Sequence, residues 1–230
     1  MQEISWKENL RVAWFGSFLT GASISLVVPF MPIFVEQLGI EGDQVAFYAG
    51  LAISVSAVSA ALVSPIWGIL ADKYGRKPMM IRAGLAMTIT MGGLAFVPNI
   101  YWLLFLRLLN GVFTGFVPNA TALIASQVPK DKSGAALGTL STGVVAGTLT
   151  GPFVGGFIAE IFGIRNVFLL VGSFLFLAAI LTIFFIKEDF QPVAKEKAIP
   201  TKEVFSSFKY PRLLVNLFLT SFVIQFSAQS

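Results

Sequence analysis

The chain has 230 residues, of which 56% are hydrophobic and 12% charged, with a net charge of +4. A soluble domain of this length cannot hide so many apolar side chains in one core, which excludes an ordinary globular fold. Cysteine and histidine are both absent, so disulfides, thiolate metal sites and imidazole proton relays are excluded, and any proton chemistry must use carboxylates.

The charges fall in short islands between long uncharged runs. A helix rises about 1.5 Å per residue, so roughly 20 residues cross the hydrocarbon core of a bilayer. Crossings are predicted at 12–35, 45–71, 79–97, 100–125, 134–161 and 166–186, and a seventh begins near Leu213 and is still running at Ser230. The predicted fold is an all-α membrane protein with a six-helix bundle over 1–187, a cytoplasmic linker over 188–211 and an incomplete seventh helix over 212–230. Short connections predict that successive helices are neighbours. The first apolar run is too long for a cleavable signal peptide and lacks a small-residue cleavage site.

Lys and Arg set the orientation. With the N-terminus in the cytoplasm, that side holds Lys7, Arg11, Lys73, Arg76, Lys77, Arg82, Lys130, Lys132 and the basic run from Lys187 to Arg212. The outer loops carry Glu36, Glu41 and Asp43, with Arg165. The positive balance reports topology, and no nucleic-acid partner is expected.

In the first span, Pro29 and Pro32 either kink the helix or shape its outer end, and no acidic residue occurs between Arg11 and Glu36. "GASISLVVP" in this span echoes "GVFTGFVP" in the fourth, a faint sign of nested three-helix repeats. Between the second and third spans stands "GILADKYGRKPMM", Gly68 to Met80. A loop that is merely basic needs only Lys and Arg; this one adds Gly68, Asp72 and Gly75. Gly68 continues a small-residue face through Gly50, Ser54, Ala57 and Ala61 that allows a helix to approach closely. Asp72 can meet the N-terminal dipole of a neighbouring helix or pair with Arg76.

Arg107 lies about seven residues inside the fourth span, where a charge costs about 2.5–3.5 kcal/mol on insertion scales. It either snorkels to the outer interface or lines a cavity. Helical spacing puts Arg107, Asn110, Gly111, Thr114 and Pro118 on one stripe, which favours the cavity. The fifth span carries "GVVAGTLTGPFVGG", with Gly143, Gly147, Gly151 and Gly155 every fourth residue, Pro152 within the run, and Gly156. Such spacing makes a groove for another helix. A Gly-Pro step removes a backbone hydrogen bond and bends the helix.

These three stretches resemble the motifs of the major facilitator superfamily. Gly68, Leu70, Ala71, Asp72, Gly75, Arg76 and Lys77 match its signature loop G-x-L-a-D-r-x-G-r-k. Arg107 and Gly111 match its R-x-x-q-G-x-g motif, with Asn110 in place of Gln. Gly147 to Gly156 resembles g-x-x-x-G-P-x-x-G-G, a motif of its antiporters. The resemblance implies the N-terminal half of a twelve-helix drug–proton antiporter in the cell membrane. Such a transporter exports small lipophilic drugs, fluoroquinolone-like or dye-like, in exchange for protons, by alternating access.

It further implies that Gly68, Asp72, Gly75, Arg76 and Lys77 act as a cytoplasmic latch against the C-terminal half, and that Arg107, Asn110, Gly111 and Thr114 serve proton coupling. Gly147, Gly151, Pro152, Gly155 and Gly156 would form the antiporter seam. No cofactor, metal or covalent chemistry is implied. Many drug antiporters of this family carry an acid in the first helix; its absence here puts the proton carrier in the other half or nowhere. Alternatives on the same residues are a symporter of a small polar solute and a non-transporting membrane fragment.

Overall fold

The computed structural model describes residues 5–190. The predicted seventh helix, and the linker beyond residue 190, lie outside the described residues. Among those described there are helices and no strands: α1 (Trp6–Val27), α2 (Met31–Gln37), α3 (Gln44–Tyr74), α4 (Arg76–Gly93), α5 (Ile100–Phe113), α6 (Phe116–Gln127), α7 (Ser133–Phe162) and α8 (Ile164–Phe185). A 3₁₀ turn, Leu94–Phe96, extends α4. With α5 and α6 taken as one element, six helices are long and apolar enough to cross a membrane. They fall at the predicted positions because hydrocarbon leaves backbone polar groups no partner but their own helix.

Two spans are interrupted. The first breaks after Val27 and resumes at Met31, with Pro29 in the gap. The fourth breaks at Thr114 and Gly115, and Gly115 takes φ +133°, a conformation that favours glycine. The two stretches that echo each other in sequence therefore both sit at broken helices. In the fourth span, Pro118 has no N–H to offer the Thr114 carbonyl four residues earlier.

Successive spans do touch, as expected, but they are not the most extensively packed pairs. The broadest contacts join α1 to α7, α4 to α8, α1 to α8 and α3 to α5. A short loop requires only that two ends meet, whereas extensive packing requires matching surfaces. Small residues supply them: a Cβ on Gly84 of α4 would lie 2.9 Å from the Ala179 Cβ of α8, and one on Gly172 would lie 3.0 Å from the Gly92 Cα. Such smooth faces let backbones approach where lipid offers no hydrophobic drive for helices to associate.

Apolar packing falls into two clusters. One gathers Phe34, Leu103, Val167 and Phe168, with the Phe34 and Phe168 rings 4.6 Å apart. The other gathers Met80, Phe116, Leu123 and Leu140. Polar clasps close the ends of the bundle. At one end the buried Asn9 amide donates to Gln127 Oε1 and to the Lys187 carbonyl, both at 2.7 Å, and accepts from the Lys187 N–H at 3.0 Å. At the other end Arg165 donates to the Ala95 and Val97 carbonyls at 2.8 and 3.2 Å.

Candidate functional site

The loop motif joins α3 to α4. Gly75, at φ +99°, ends one helix and opens the next. Asp72, near the end of α3, accepts from the guanidinium of Arg76, the first residue of α4, on a partly exposed surface where such a pair contributes about 0.2–1 kcal/mol. Among the described residues Asp72 does not meet a helix N-terminus, the other role open to it. Glu188 does: its two carboxylate oxygens accept the backbone N–H groups of Arg76 and Lys77 at 2.8 and 2.7 Å, at the N-terminus of α4. The Lys77 ammonium donates to the Ile183 carbonyl at 3.0 Å. The loop is thereby tied to the chain leaving α8. Gly68 and Gly50 meet nothing within 4 Å of an added Cβ, so this small-residue face of α3 is open among the described residues.

The stripe predicted on the fourth span is divided by the break at Thr114. Arg107 and Asn110 are buried, 5% and 7% exposed, among α3, α4 and α5. The Arg107 Nε donates to the Ala52 carbonyl at 3.2 Å, and its Nη1 lies 3.7 Å from the Met91 sulfur. Asn110 accepts from the Thr90 hydroxyl at 3.1 Å. Among the described residues both side chains are packed inside the bundle, and Arg107 does not reach out to the interface. Ser56 donates to the Arg107 carbonyl at 2.6 Å and Ser59 to the Leu108 carbonyl at 3.1 Å. A Cβ on Gly111 would overlap Ser59 and the Ser56 carbonyl, so α3 lies directly against α5 at that point.

A cavity of about 360 Å³ lies at the break itself. Gly68, Arg76, Gly111 and Thr114 line it, bringing together members of the loop motif and of the fourth-span motif. Around the break, donors from neighbouring helices take the carbonyls that the interruption frees. Trp67 Nε1 donates to Val112 at 2.6 Å, and Arg82 Nη2 to Thr114 at 3.3 Å. The Arg82 guanidinium lies 3.4 Å from the centre of the Trp67 ring. Counting cations along the chain placed Arg82 merely on the cytoplasmic side. Its position six residues inside α4 and the proline at 118 were the available signals of a deeper role.

The glycine ribbon of the fifth span meets α1. Gly143, Gly147, Gly151 and Gly155 are all buried. Added Cβ atoms would run into the Trp14 carbonyl at 2.7 Å from Gly143, the Phe18 carbonyl and the Ala22 nitrogen at Gly147, the Ala22 carbonyl at 2.7 Å from Gly151, and Leu26 and Phe30 at Gly155. A Cβ added at Gly156 meets nothing within 4 Å among the described residues, so Gly156 is not part of the contact with α1. Helix α7 continues through Pro152, and the Thr148 carbonyl, which Pro152 cannot serve, accepts the Ser25 hydroxyl of α1 at 2.6 Å.

A family model described as Major Facilitator Superfamily matches residues 13–230. The chain is 89% identical over all 230 residues to the "Multi-drug resistance efflux pump PmrA" of Streptococcus pneumoniae, spanning 58% of that protein. It is 54% identical over 227 residues, 99% of the chain, to the PmrA homolog of Lactococcus lactis, spanning 56% of it. It is 50% identical over 227 residues, 98% of the chain, to "Multidrug resistance protein MdtG" of Proteus mirabilis, again spanning 56%. The chain thus spans less than two thirds of the curated relatives it matches.

Among solved structures, it resembles the human organic anion transporter MFSD10 with a TM-score of 0.71 at 18% identity, over 86% of this chain and 51% of that one. It resembles the POT family transporter PepTSo with a TM-score of 0.72 at 14% identity, over 83% and 40%. At these identities the likeness speaks for the fold, which is the one expected. Taken with six membrane-length helices and the three motifs, the match establishes that this chain belongs to the Major Facilitator Superfamily.

Proposed function

We propose that the chain forms the N-terminal half of a multidrug exporter that moves small lipophilic compounds, fluoroquinolone-like or dye-like, outward in exchange for protons. The observation that carries this reading is the 89% identity, along the whole chain, to a protein described as a multidrug efflux pump. The α1–α7 seam supports it physically. A helix pressed backbone to backbone against its neighbour leaves no gap through which protons or ions can leak while the site faces one side at a time.

In this reading residues 1–187 make the first rigid bundle, 188–211 the linker, and 212–230 the start of the seventh helix in a cell membrane. The N-terminus is cytoplasmic, because Lys7, Arg11, Arg76, Lys77 and Lys187 collect at the end of the bundle closed by Asn9, Gln127 and Glu188. Gly68, Asp72, Gly75, Arg76 and Lys77 act as the latch against the second half. Arg107, with Asn110, Gly111 and Thr114 of the same span, supplies the buried positive field to which proton binding responds. Gly147, Gly151, Pro152 and Gly155 hold the seam. Protons provide the drive, since each charge crossing 100 mV releases roughly 2.3 kcal/mol.

The test is ethidium accumulation in cells expressing the whole transporter. Accumulation should fall on expression and recover when a protonophore is added. Efflux that persists with the proton gradient collapsed overturns the coupling.

A further inference from the structure

The two halves of the fourth span pack separately. Ile100 and Leu103 of α5 join the apolar cluster of Phe34 and Phe168, whereas Phe116, Ala120 and Leu123 of α6 join that of Met80 and Leu140. Helix α1 passes from one cluster to the other without interruption, through Leu19 and Leu26, and α4 does so through Met80 and Met87. The fourth span instead crosses between them at Thr114 and Gly115, outside either helix. A change of angle there need disturb neither cluster.

Side chains of other helices hold the break. Ser56, Ser59 and Trp67 of α3 donate to the Arg107, Leu108 and Val112 carbonyls, which ties α5 to α3 at three levels. Helix α6 packs chiefly against α4 and α1. Pro118 leaves the Thr114 carbonyl without a helical donor, and Arg82 Nη2 of α4 takes it at 3.3 Å. The Arg82 guanidinium lies 3.4 Å from the centre of the Trp67 ring, and a cation so close to a π-face is attracted to it. The two donors thus form one unit that grips the chain on both sides of Phe113. Gly115, at φ +133°, supplies the turn. A side-chain donor can leave a carbonyl without unwinding a helix, so a bend held in this way is free to change.

We propose that the Thr114–Gly115 break is a hinge, and that Trp67 and Arg82 are positioning residues that set its angle, so that a shift of α3 turns α5 against α6. Trp67 stands one residue before Gly68, the start of the loop motif, which places the clamp at the loop end of α3. When Trp67 moves with α3, its grip on Val112 and its stacking with Arg82 change together. The use of this hinge in a transport cycle rests on the export reading. The hinge itself does not, and distances test it without transport.

The experiment uses the whole transporter in nanodiscs, with any cysteine outside this chain replaced by serine, and spin labels at Tyr101→Cys of α5 and Ala125→Cys of α6, both exposed. A control pair, Phe47→Cys and Leu108→Cys, measures α3 against α5. Trp67→Phe, which keeps a ring but loses the N–H, and Arg82→Gln should each broaden the distance distribution of the first pair and leave the control as narrow as in the parent. Arg82→Lys, which keeps a charged donor, should fall between. Gly115→Ala with Pro118→Ala works in the opposite direction: residue 118 regains its N–H, the span straightens, and adding Arg82→Gln should then leave the distances unchanged. In dye efflux, the loosened and the straightened proteins should both lose about tenfold or more in maximal rate, the scale of one charged hydrogen bond, with the half-saturating dye concentration unaltered. A first-pair distribution that stays narrow in the Trp67→Phe, Arg82→Gln double variant overturns the hinge. So does equal broadening of both pairs, which would report general loosening. If these variants do not reach the membrane, the straightened protein decides, and a distance equal to the parent's overturns the proposal. Distances that respond while efflux is unaltered would keep the hinge and overturn its use in transport.

Discussion

The Ser25 hydroxyl of α1 donates to the Thr148 carbonyl of α7 at 2.6 Å, and that carbonyl is the one Pro152 leaves without a helical donor. One side chain thus repairs a defect in the neighbouring helix. Removing the hydroxyl should be costly only while the proline is present. Ser25→Ala is expected to destabilise the protein by about 1–3 kcal/mol, the penalty for a buried unpaired acceptor. In the Pro152→Ala background, where residue 152 regains its N–H, the same change should cost much less. Thermal unfolding of the four proteins in detergent gives the coupling energy. Additive effects would show that Ser25 serves some other purpose.

The seam predicts a sharp contrast between Gly147 and Gly156 of the same helix. Gly147→Ala forces a methyl group into the Phe18 carbonyl and Ala22 nitrogen, and backbone cannot yield as a side-chain tip can. It should cost about 1–3 kcal/mol and push α7 away from α1, with export reduced accordingly. Gly156→Ala enters open space and should be neutral or slightly stabilising through helix propensity. Folded yield and dye efflux of the two variants provide the check; equal damage at both sites would refute the seam.

Glu188 makes a third prediction, because it caps α4 with both oxygens. Glu188→Ala should lose about 0.5–2 kcal/mol, comparable to the loss of a helix N-cap. Glu188→Gln, which keeps one good acceptor but no charge, should fall between. Melting temperatures establish the order. If efflux slows in Glu188→Gln while stability is nearly kept, the tie between the signature loop and the chain leaving α8 matters to the transport cycle itself.

Arg107 combines charge with shape. Its guanidinium reaches the Ala52 carbonyl on one side and Met91 on the other. Arg107→Lys retains the charge but has no planar fork to span both contacts. Drug efflux in everted vesicles should drop by about tenfold or more, as for other losses of a charged buried hydrogen bond, while the protein remains in the membrane. Full activity in Arg107→Lys would show that the charge alone suffices and that the planar fork is not needed.

Much of this was readable from residue order because lipid imposes simple rules. Uncharged runs of sufficient length became the six spans, and the four-residue spacing of Gly143, Gly147, Gly151 and Gly155 announced a close helix contact. The same spacing could not name the partner. A smooth ribbon fits any helix that offers an accessible backbone, and only the packed bundle selects α1. Nor could it separate Gly156, which sits beside Gly155 in the chain but turns away from the seam.

The fourth span shows the other limit. Helical geometry put Arg107, Asn110, Gly111 and Thr114 on one stripe, an inference valid while the helix is continuous. The turn at Gly115 ends that continuity only beyond Phe113, cutting Pro118 off from the stripe; within α5 itself Arg107 and Asn110 pack inside the bundle, while Gly111 lies with Thr114 at the cavity. Arg82 and Glu188 were invisible as site residues because their significance lies in groups far along the chain, the Thr114 carbonyl and the N–H groups of Arg76 and Lys77. The amino-acid order by itself determined that this protein lives in a membrane, where its helices cross and which residues have unusual chemistry. The tertiary structure alone decided which helices touch and which orphaned polar groups find each other. Solvation acts on each segment separately, but a hydrogen bond or a seam needs two surfaces that no single segment contains.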